Sequence, residues 1–292
     1  MRSSRSFYRL KVFFVLPALL LYGIFTLYPF LGSLLYSFTN WDGLQSPDYV
    51  GLANYRALFH DKAIMQAAKN TLYVLAVMVL IGNPLSLTLA LLLNLPLRSR
   101  GLLRTLFFLP ALMSLMVISI SWGFILQYDG LLNAVLTLFG FENGIQDWLG
   151  TMDYALPAVI LILLWQGTGF GAVIYLAGLQ SVPRELQESA QIDGATGLQR
   201  IYHITIPLIM PFITINTFLG IAGSLKLFDV PFVLTNGGPG TATTTLGLLI
   251  YKYAFVHESY GYATAAGMLF MILIAVITFL QLSITRRREV EM

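Results

Sequence analysis

The sequence contains no cysteine. Disulfides, thiolate-ligated zinc, iron–sulfur clusters and a thiol nucleophile are therefore excluded. Charge is scarce as well. Asp, Glu, Lys and Arg make up 11% of the 292 residues, against roughly 25% in a soluble domain. None of the lysines (Lys11, Lys62, Lys69, Lys226, Lys252) follows a glycine, so the GxxxxGK[ST] cradle for nucleotide phosphates is absent. His60, His203 and His257 are far apart and form no HExxH pair, which makes a metal site improbable. Ser224 lacks a GxSxG setting and a partner histidine, so hydrolytic chemistry has no footing. What the chain does have is apolar residues, 57% of the total, with a mean hydropathy of +0.75. A compact soluble fold of this length needs far more polar surface, and disorder is ruled out by the same figures.

The apolar residues fall in charge-free runs over 12–41, 70–97, 105–128, 154–183, 201–225 and 259–285. Each run exceeds the ~20 residues a helix needs to cross about 30 Å of hydrocarbon. The reading is an all-α polytopic membrane protein, a single domain over 1–292. Its six transmembrane helices are placed at about 12–38, 70–97, 105–128, 154–180, 203–225 and 260–285. The first run is too long for the apolar part of a signal peptide and no small-x-small cleavage site follows it, so it reads as an uncleaved span. The run 131–141 is too short to cross. The run 230–251 is interrupted by Asn236-Gly237-Gly238-Pro239-Gly240, a loop that belongs outside the hydrocarbon or inside protein.

Lys and Arg counts give the orientation. Twelve lie in the N-terminal segment (Arg2, Arg5, Arg9, Lys11), the 98–104 loop, the 184–200 loop and the C-terminal tail (Arg286, Arg287, Arg288), against five on the other side. Both termini are thereby expected in the cytoplasm. Trp41, Tyr128, Trp148 and Tyr154 fall near the outer interface, as an aromatic belt would. No acid interrupts a run, which argues against a proton relay and suits a neutral polar cargo. Lys226 and Asp229 are spaced to pair on one helical face. Polar residues inside the runs include Asn83, Ser86, Ser119, Ser121, Gln166, Thr168, Thr214, Asn216, Thr217 and Ser224; the ordinary role of each is an interhelical hydrogen bond. The glycines of Gly167-Thr168-Gly169-Phe170-Gly171 lack GxGxxG spacing and read as close helix packing.

The segment 184–207 carries the most local information. Pro183 suits the first turn of a helix, and Glu185 and Glu188 its positive end. Gly194 is placed to stop that helix. A second helix is expected from Leu198 into the fifth run, with Pro207 and Pro211 at the membrane entry. The product is either an amphipathic loop lying on the membrane or a lever docking in a partner's groove.

Glu188-Ser189-Ala190, three residues, Gly194, nine residues and Ile204-Thr205-Ile206-Pro207 resemble the EAA loop of binding-protein-dependent ABC importer permeases, EAA-x3-G-x9-I-x-LP. Ser189 and Ile206 depart conservatively from that pattern. Phe38-Thr39-Asn40-Trp41-Asp42-Gly43, Val50-Gly51-Leu52-Ala53-Asn54-Tyr55, Leu179-Gln180-Ser181-Val182-Pro183 and Leu234-Thr235-Asn236-Gly237-Gly238-Pro239-Gly240 look like the carbohydrate-uptake branch. Within it the chain is similar to the first permease of a pair, the MalF/UgpA/LacF-like one.

The resemblance implies the type I ABC importer permease fold in a bacterial or archaeal cell (inner) membrane. It implies a subunit that is not an enzyme and binds no cofactor, with ATP and Mg held by a partner ATPase. The implied partners are a second permease, two copies of the ATPase, an extracytoplasmic sugar-binding protein and membrane lipid, with no nucleic acid. Coupling to the ATPase would fall to Glu188, Ser189, Ala190, Asp193, Gly194, Ile204 and Pro207. The cargo path would use the helices flanking the loop, here Trp165, Gln166, Gly167, Phe170, Asn216, Gly220, Gly223 and Ser224, with no metal. Two alternatives stay open at this point. One is an ABC permease for glycerol phosphate or another small polar solute. The other is a self-sufficient secondary carrier or channel.

Overall fold

A computed structural model describes residues 15–96 and 98–287. Arg2, Arg5, Arg9, Lys11 and Arg288, the start of the first expected span and Leu97 at the end of the second lie outside them. The described residues form helices and no strand beyond an isolated Thr39–Tyr49 bridge. In chain order the helices are α1 Val15–Tyr36, α2 Ala53–His60, α3 Lys62–Asn94, α4 Arg100–Leu112, α5 Leu115–Leu126 and α6 Leu131–Leu138. They continue with α7 Met152–Ser181, α8 Arg184–Ile192, α9 Gly197–Leu208, α10 Met210–Leu225, α11 Asp229–Thr235, α12 Leu246–Phe255 and α13 Tyr260–Arg286.

Five helical stretches among the described residues are long and apolar enough to cross a membrane: Val15–Tyr36, Lys62–Asn94, Leu115–Leu138, Met152–Ser181 and Tyr260–Thr285. The pair α9 and α10, bent by 73°, makes a sixth if it serves as one span.

Two of the expected spans are not single helices. Over 105–128 the chain forms the end of α4 and then α5. Pro110 removes a backbone donor near the end of α4, and Ser114 caps α5 by accepting the Val117 N–H at 3.3 Å, so a new helix starts there. Over 203–225 the break falls at Ile209, flanked by Pro207 and Pro211, neither of which has an N–H. Lys226 closes α10 and Asp229 opens α11, so they sit on different helices rather than on one face.

The described residues group into two compact units, one of 15–61 with 250–271 and one of 62–249 with 272–287. In the first unit, the Asn54 amide donates to the carbonyls of Ser37 (3.0 Å) and Thr39 (2.8 Å), and the Ser37 and Tyr55 hydroxyls bond at 2.7 Å. The segments 38–43 and 50–55 are thus one folded piece. Tyr36 stacks on Trp41, whose ring meets Tyr260. Gly261 lies against the Thr39 carbonyl, a position with no room for a Cβ. The backbone N–H groups of Gln45 and Leu44 hold the Asp42 carboxyl below its ordinary range. Asp61 accepts hydrogen bonds from the Tyr253 (2.5 Å) and Tyr262 (2.9 Å) hydroxyls. Burial first, then the bond to Asp61, push the Tyr253 hydroxyl above its ordinary value, so it stays a donor.

In the second unit α7 is central, with half of its most apolar window buried. Val159, Ile162, Val74, Ile118 and Val230 form one core, and Ala90, Ala172, Tyr175 and Ile209 another. The loop 236–245 folds into protein: Gly237, Thr243, Thr244 and Thr245 are buried. The Asn70 amide donates to the carbonyls of Thr241 and Thr244, each at 2.9 Å. Thr71 Oγ1 accepts from the Leu246 N–H, and Thr245 Oγ1 donates to the Leu227 carbonyl. Side chains of α3 thereby satisfy a loop that lipid could not. Asn70→Ala takes the side-chain donor from the buried Thr244 carbonyl, while the Thr241 carbonyl keeps the Thr244 N–H; the expected loss is roughly 1–3 kcal/mol, read from the denaturation midpoint of the detergent-purified protein.

Candidate functional site

Two places combine exposed polar groups with fixed geometry. The first is the elbow between α7 and α10. Pro183 precedes α8 as its cap (φ −60°, ψ 130°), one position earlier than the first turn, and Glu185 lies in that turn. The helix stops in a Schellman motif: Ala195 N–H bonds the Ala190 carbonyl (2.9 Å), Gly194 N–H bonds that of Gln191 (3.2 Å), and Gly194 has φ +83°. Thr196 then caps α9 in a reciprocal capping box with Gln199. Arg200 reaches back to Gln191 Oε1 at 3.4 Å.

Every turn of this elbow is fixed by its own hydrogen bonds, yet α8 has no buried residue. Ile192, Leu198 and Tyr202 are 87%, 71% and 69% exposed. Asp193, Gly194 and Ile204 share a depression with Gln199, Arg200 and His203, in which Arg200 Nε is buried without a partner. Glu188, Ser189 and Ala190 stand on α8, outside that depression, and Pro207 lies in the last turn of α9, at the bend.

The second place is a part-open cavity of about 320 Å³ between α3, α7 and α10, lined also by Ala111 of α4 and Leu115 of α5. Gln166, Gly167, Phe170, Asn216, Gly220, Gly223 and Ser224 all line it. Trp165 does not; its ring packs edge-on against Trp122 at 5.6 Å. Four lining residues outside the set carried over from the resemblance come from α3: Met78, Gly82, Asn83 and Ser86. The signal available for Asn83 was a polar side chain before proline inside a charge-free run. There α3 widens into a π-helical turn, Met78–Gly82, just ahead of Pro84. Pro84 has no N–H to close the ordinary ladder, and such turns favour functional positions.

The polar side chains divide by role. Ser86, Ser119, Ser121 and Ser224 donate to carbonyls of their own helix four residues back, not across helices. Asn83, by contrast, joins three helices. Its Oδ1 accepts from Tyr175 Oη (2.8 Å) and Asn216 Nδ2 (2.6 Å), and its Nδ2 donates to Thr217 Oγ1 (2.9 Å).

The glycines divide too. A Cβ at Gly169 would run into the Phe107 carbonyl oxygen, one at Gly171 would lie 2.6 Å from Ser86 Oγ, and one at Gly178 2.7 Å from the Phe212 ring. At Gly220 and Gly223 a Cβ would meet nothing. The first three are close packing; the other two keep the cavity open. No charged side chain lines it.

Residues 82–290 match the family described as the binding-protein-dependent transport system inner membrane component. The chain is similar to the multiple sugar-binding transport system permease protein MsmF of Streptococcus mutans, with 36% identity over 95% of each chain. Among solved structures, a bacterial ABC transporter involved in the import of the acidic polysaccharide alginate superposes with a TM-score of 0.86 at 27% identity, covering 98% of this chain and 99% of that one. A second structure of an alginate ABC transporter, in complex with an alginate pentasaccharide-bound periplasmic protein, superposes at 0.85 with the same identity, covering 98% of each chain.

The two classes of glycine give a paired expectation. Gly169→Ala forces α7 away from α4 and yields little folded protein. Gly220→Ala leaves the melting temperature unchanged or raised, because alanine favours a helix by roughly 0.5–1 kcal/mol over glycine. Thermal unfolding of the two purified variants checks both.

Proposed function

The chain belongs to the family of binding-protein-dependent transport system inner membrane components, and on that premise we propose which solute it passes and how it is driven. It is a multi-pass permease subunit of a sugar ABC importer. Its family works with an extracytoplasmic binding protein and leaves ATP hydrolysis to a separate ATPase subunit. In our reading the cargo is a neutral sugar or oligosaccharide. Gln166, Thr168, Asn216 and Ser224 offer hydroxyl-matching groups, Phe170 an apolar ring face, and nothing in the lining offers the cation that an acidic cargo would call for.

The elbow of α8 and α9 is the observation that carries the mechanism. A partner must cover Ile192, Leu198 and Tyr202, since apolar side chains this exposed on a fixed helix pair form a docking surface. That partner is the ATPase, which holds ATP and Mg; this chain holds neither. Two ATPase copies and a second permease complete the assembly, and lipid covers the apolar outer faces. ATP binding favours a closed ATPase dimer, and the elbow passes that preference to α7 and α10, which bound the cavity. Glu188, Ser189, Ala190, Asp193, Gly194, Ile204 and Pro207 form this joint. The elbow then faces the cytoplasm together with both termini.

The test is transport by the complex purified from its native membrane and placed in liposomes. Neutral sugar enters only with ATP and binding protein, and this chain alone moves none; sugar uptake by the isolated chain overturns the assignment. Glu188→Lys and Gly194→Asp leave the protein in the membrane while uptake falls at least about tenfold against ATP hydrolysed. Normal uptake in both variants removes the role of the elbow.

A further inference from the structure

The Asn83 amide does more than tie helices together. An amide oxygen has two lone pairs, and those of Asn83 are both taken, by the Tyr175 hydroxyl and the Asn216 amide. Turning the Asn216 amide over would set two oxygens face to face across 2.6 Å. With the Asn83 oxygen facing Tyr175 and Asn216, the Asn216 nitrogen is the donor of this bond. Gly171 leaves the room this amide occupies: a Cβ there would lie 2.9 Å from Asn216 Nδ2. Asn216 lines the cavity, and its Oδ1 has no partner among the described residues.

The structure assigns to Asn83 a positioning role: it holds the Asn216 amide so that the cavity offers cargo a fixed hydrogen-bond acceptor. This rests on reading the cavity as the cargo path, and it deepens that reading. An acceptor held in place takes a hydroxyl, which donates. A carboxylate has no proton to give and brings its negative charge against an amide oxygen. Sites built to bond a particular hydroxyl discriminate strongly against groups that cannot make the bond. The neighbour of known structure that imports acidic alginate has the same fold at 27% identity, so the backbone alone does not separate neutral from acidic saccharides, and the side chains of the lining are one place that can. Asn83 touches cargo little in this scheme. It acts through Asn216.

The experiment is sugar moved per ATP hydrolysed, measured with the liposome-embedded native complex and its binding protein. Labelled maltose, trehalose and lactose are the neutral probes, and an alginate disaccharide is the acidic one. Asn83→Leu removes the acceptor that holds Asn216. The ratio is expected to fall about tenfold while binding-protein-stimulated hydrolysis stays within about twofold. Asn83→Asp keeps an oxygen facing both donors and restores the ratio to near wild type. Asn83→Leu combined with Asn216→Leu is no worse than Asn216→Leu alone, since both act at one group. If Asn83→Leu does not assemble, Asn83→Ser, too short to reach Asn216, carries the same expectation.

An unchanged ratio in Asn83→Leu overturns the role. So does Asn83→Asp failing as badly as Asn83→Leu, or hydrolysis falling in step with uptake, which is what a merely structural tie would produce. A wild-type complex that imports none of the neutral sugars overturns the reading of the cavity and this inference with it; every other contrary result overturns the inference alone.

Discussion

Backbone and side-chain polar groups that leave the helical ladder inside a membrane must find partners within the protein, and this requirement organises the chain. At the loop before α12, side chains of another helix supply the missing bonds. Asn70 and Thr71 of α3 satisfy the loop 236–246, more than 170 residues away in sequence. Thr245 fills the carbonyl of Leu227 just past α10. A soluble protein could leave such groups to water; here Asn70, Thr71 and Thr245 are given to them.

The same requirement makes the cavity possible. Close approach of α7 to its neighbours needs glycine at 169, 171 and 178, where a Cβ would overlap α4, α3 and α10 respectively. Between these tight contacts, Gly220 and Gly223 leave space unfilled. The cavity is therefore bounded by rigid packing rather than by loops, which suits a site whose polar groups must keep fixed directions. The elbow shows the complementary design. Its turns are internally satisfied by a Schellman motif and a capping box, so it keeps its shape while burying almost nothing. A stiff, uncovered helix pair attached to both walls of a cavity is what the coupling role proposed above requires.

The presence of five or six spans was legible from length and charge alone, but the third was not placed: 105–128 was expected, and the stretch long and apolar enough to cross is Leu115–Leu138, which takes in part of the run 131–141 read as too short. The breaks inside the third and fifth spans were harder. Ser114 reads as one more small polar residue until its hydroxyl is seen accepting from Val117, and the two prolines near Ile209 mark an entry without stating the 73° bend. Seven of the eight residues carried over for the cargo path meet at one cavity, whereas Trp165 turns to Trp122. Asn83 stood outside that set because nothing local distinguishes a helix tie from a residue that orients a neighbour.

Sequence alone determined the membrane class, the elbow and its stop at Gly194, because those signals are local: run length, cap residues and one glycine with a positive φ. Only the tertiary structure decided which glycines are packed and which are open, and which amide faces the cavity. The difference is physical. A glycine or an asparagine has no assigned role until a helix from elsewhere in the chain comes within reach, and that encounter is written in no single segment.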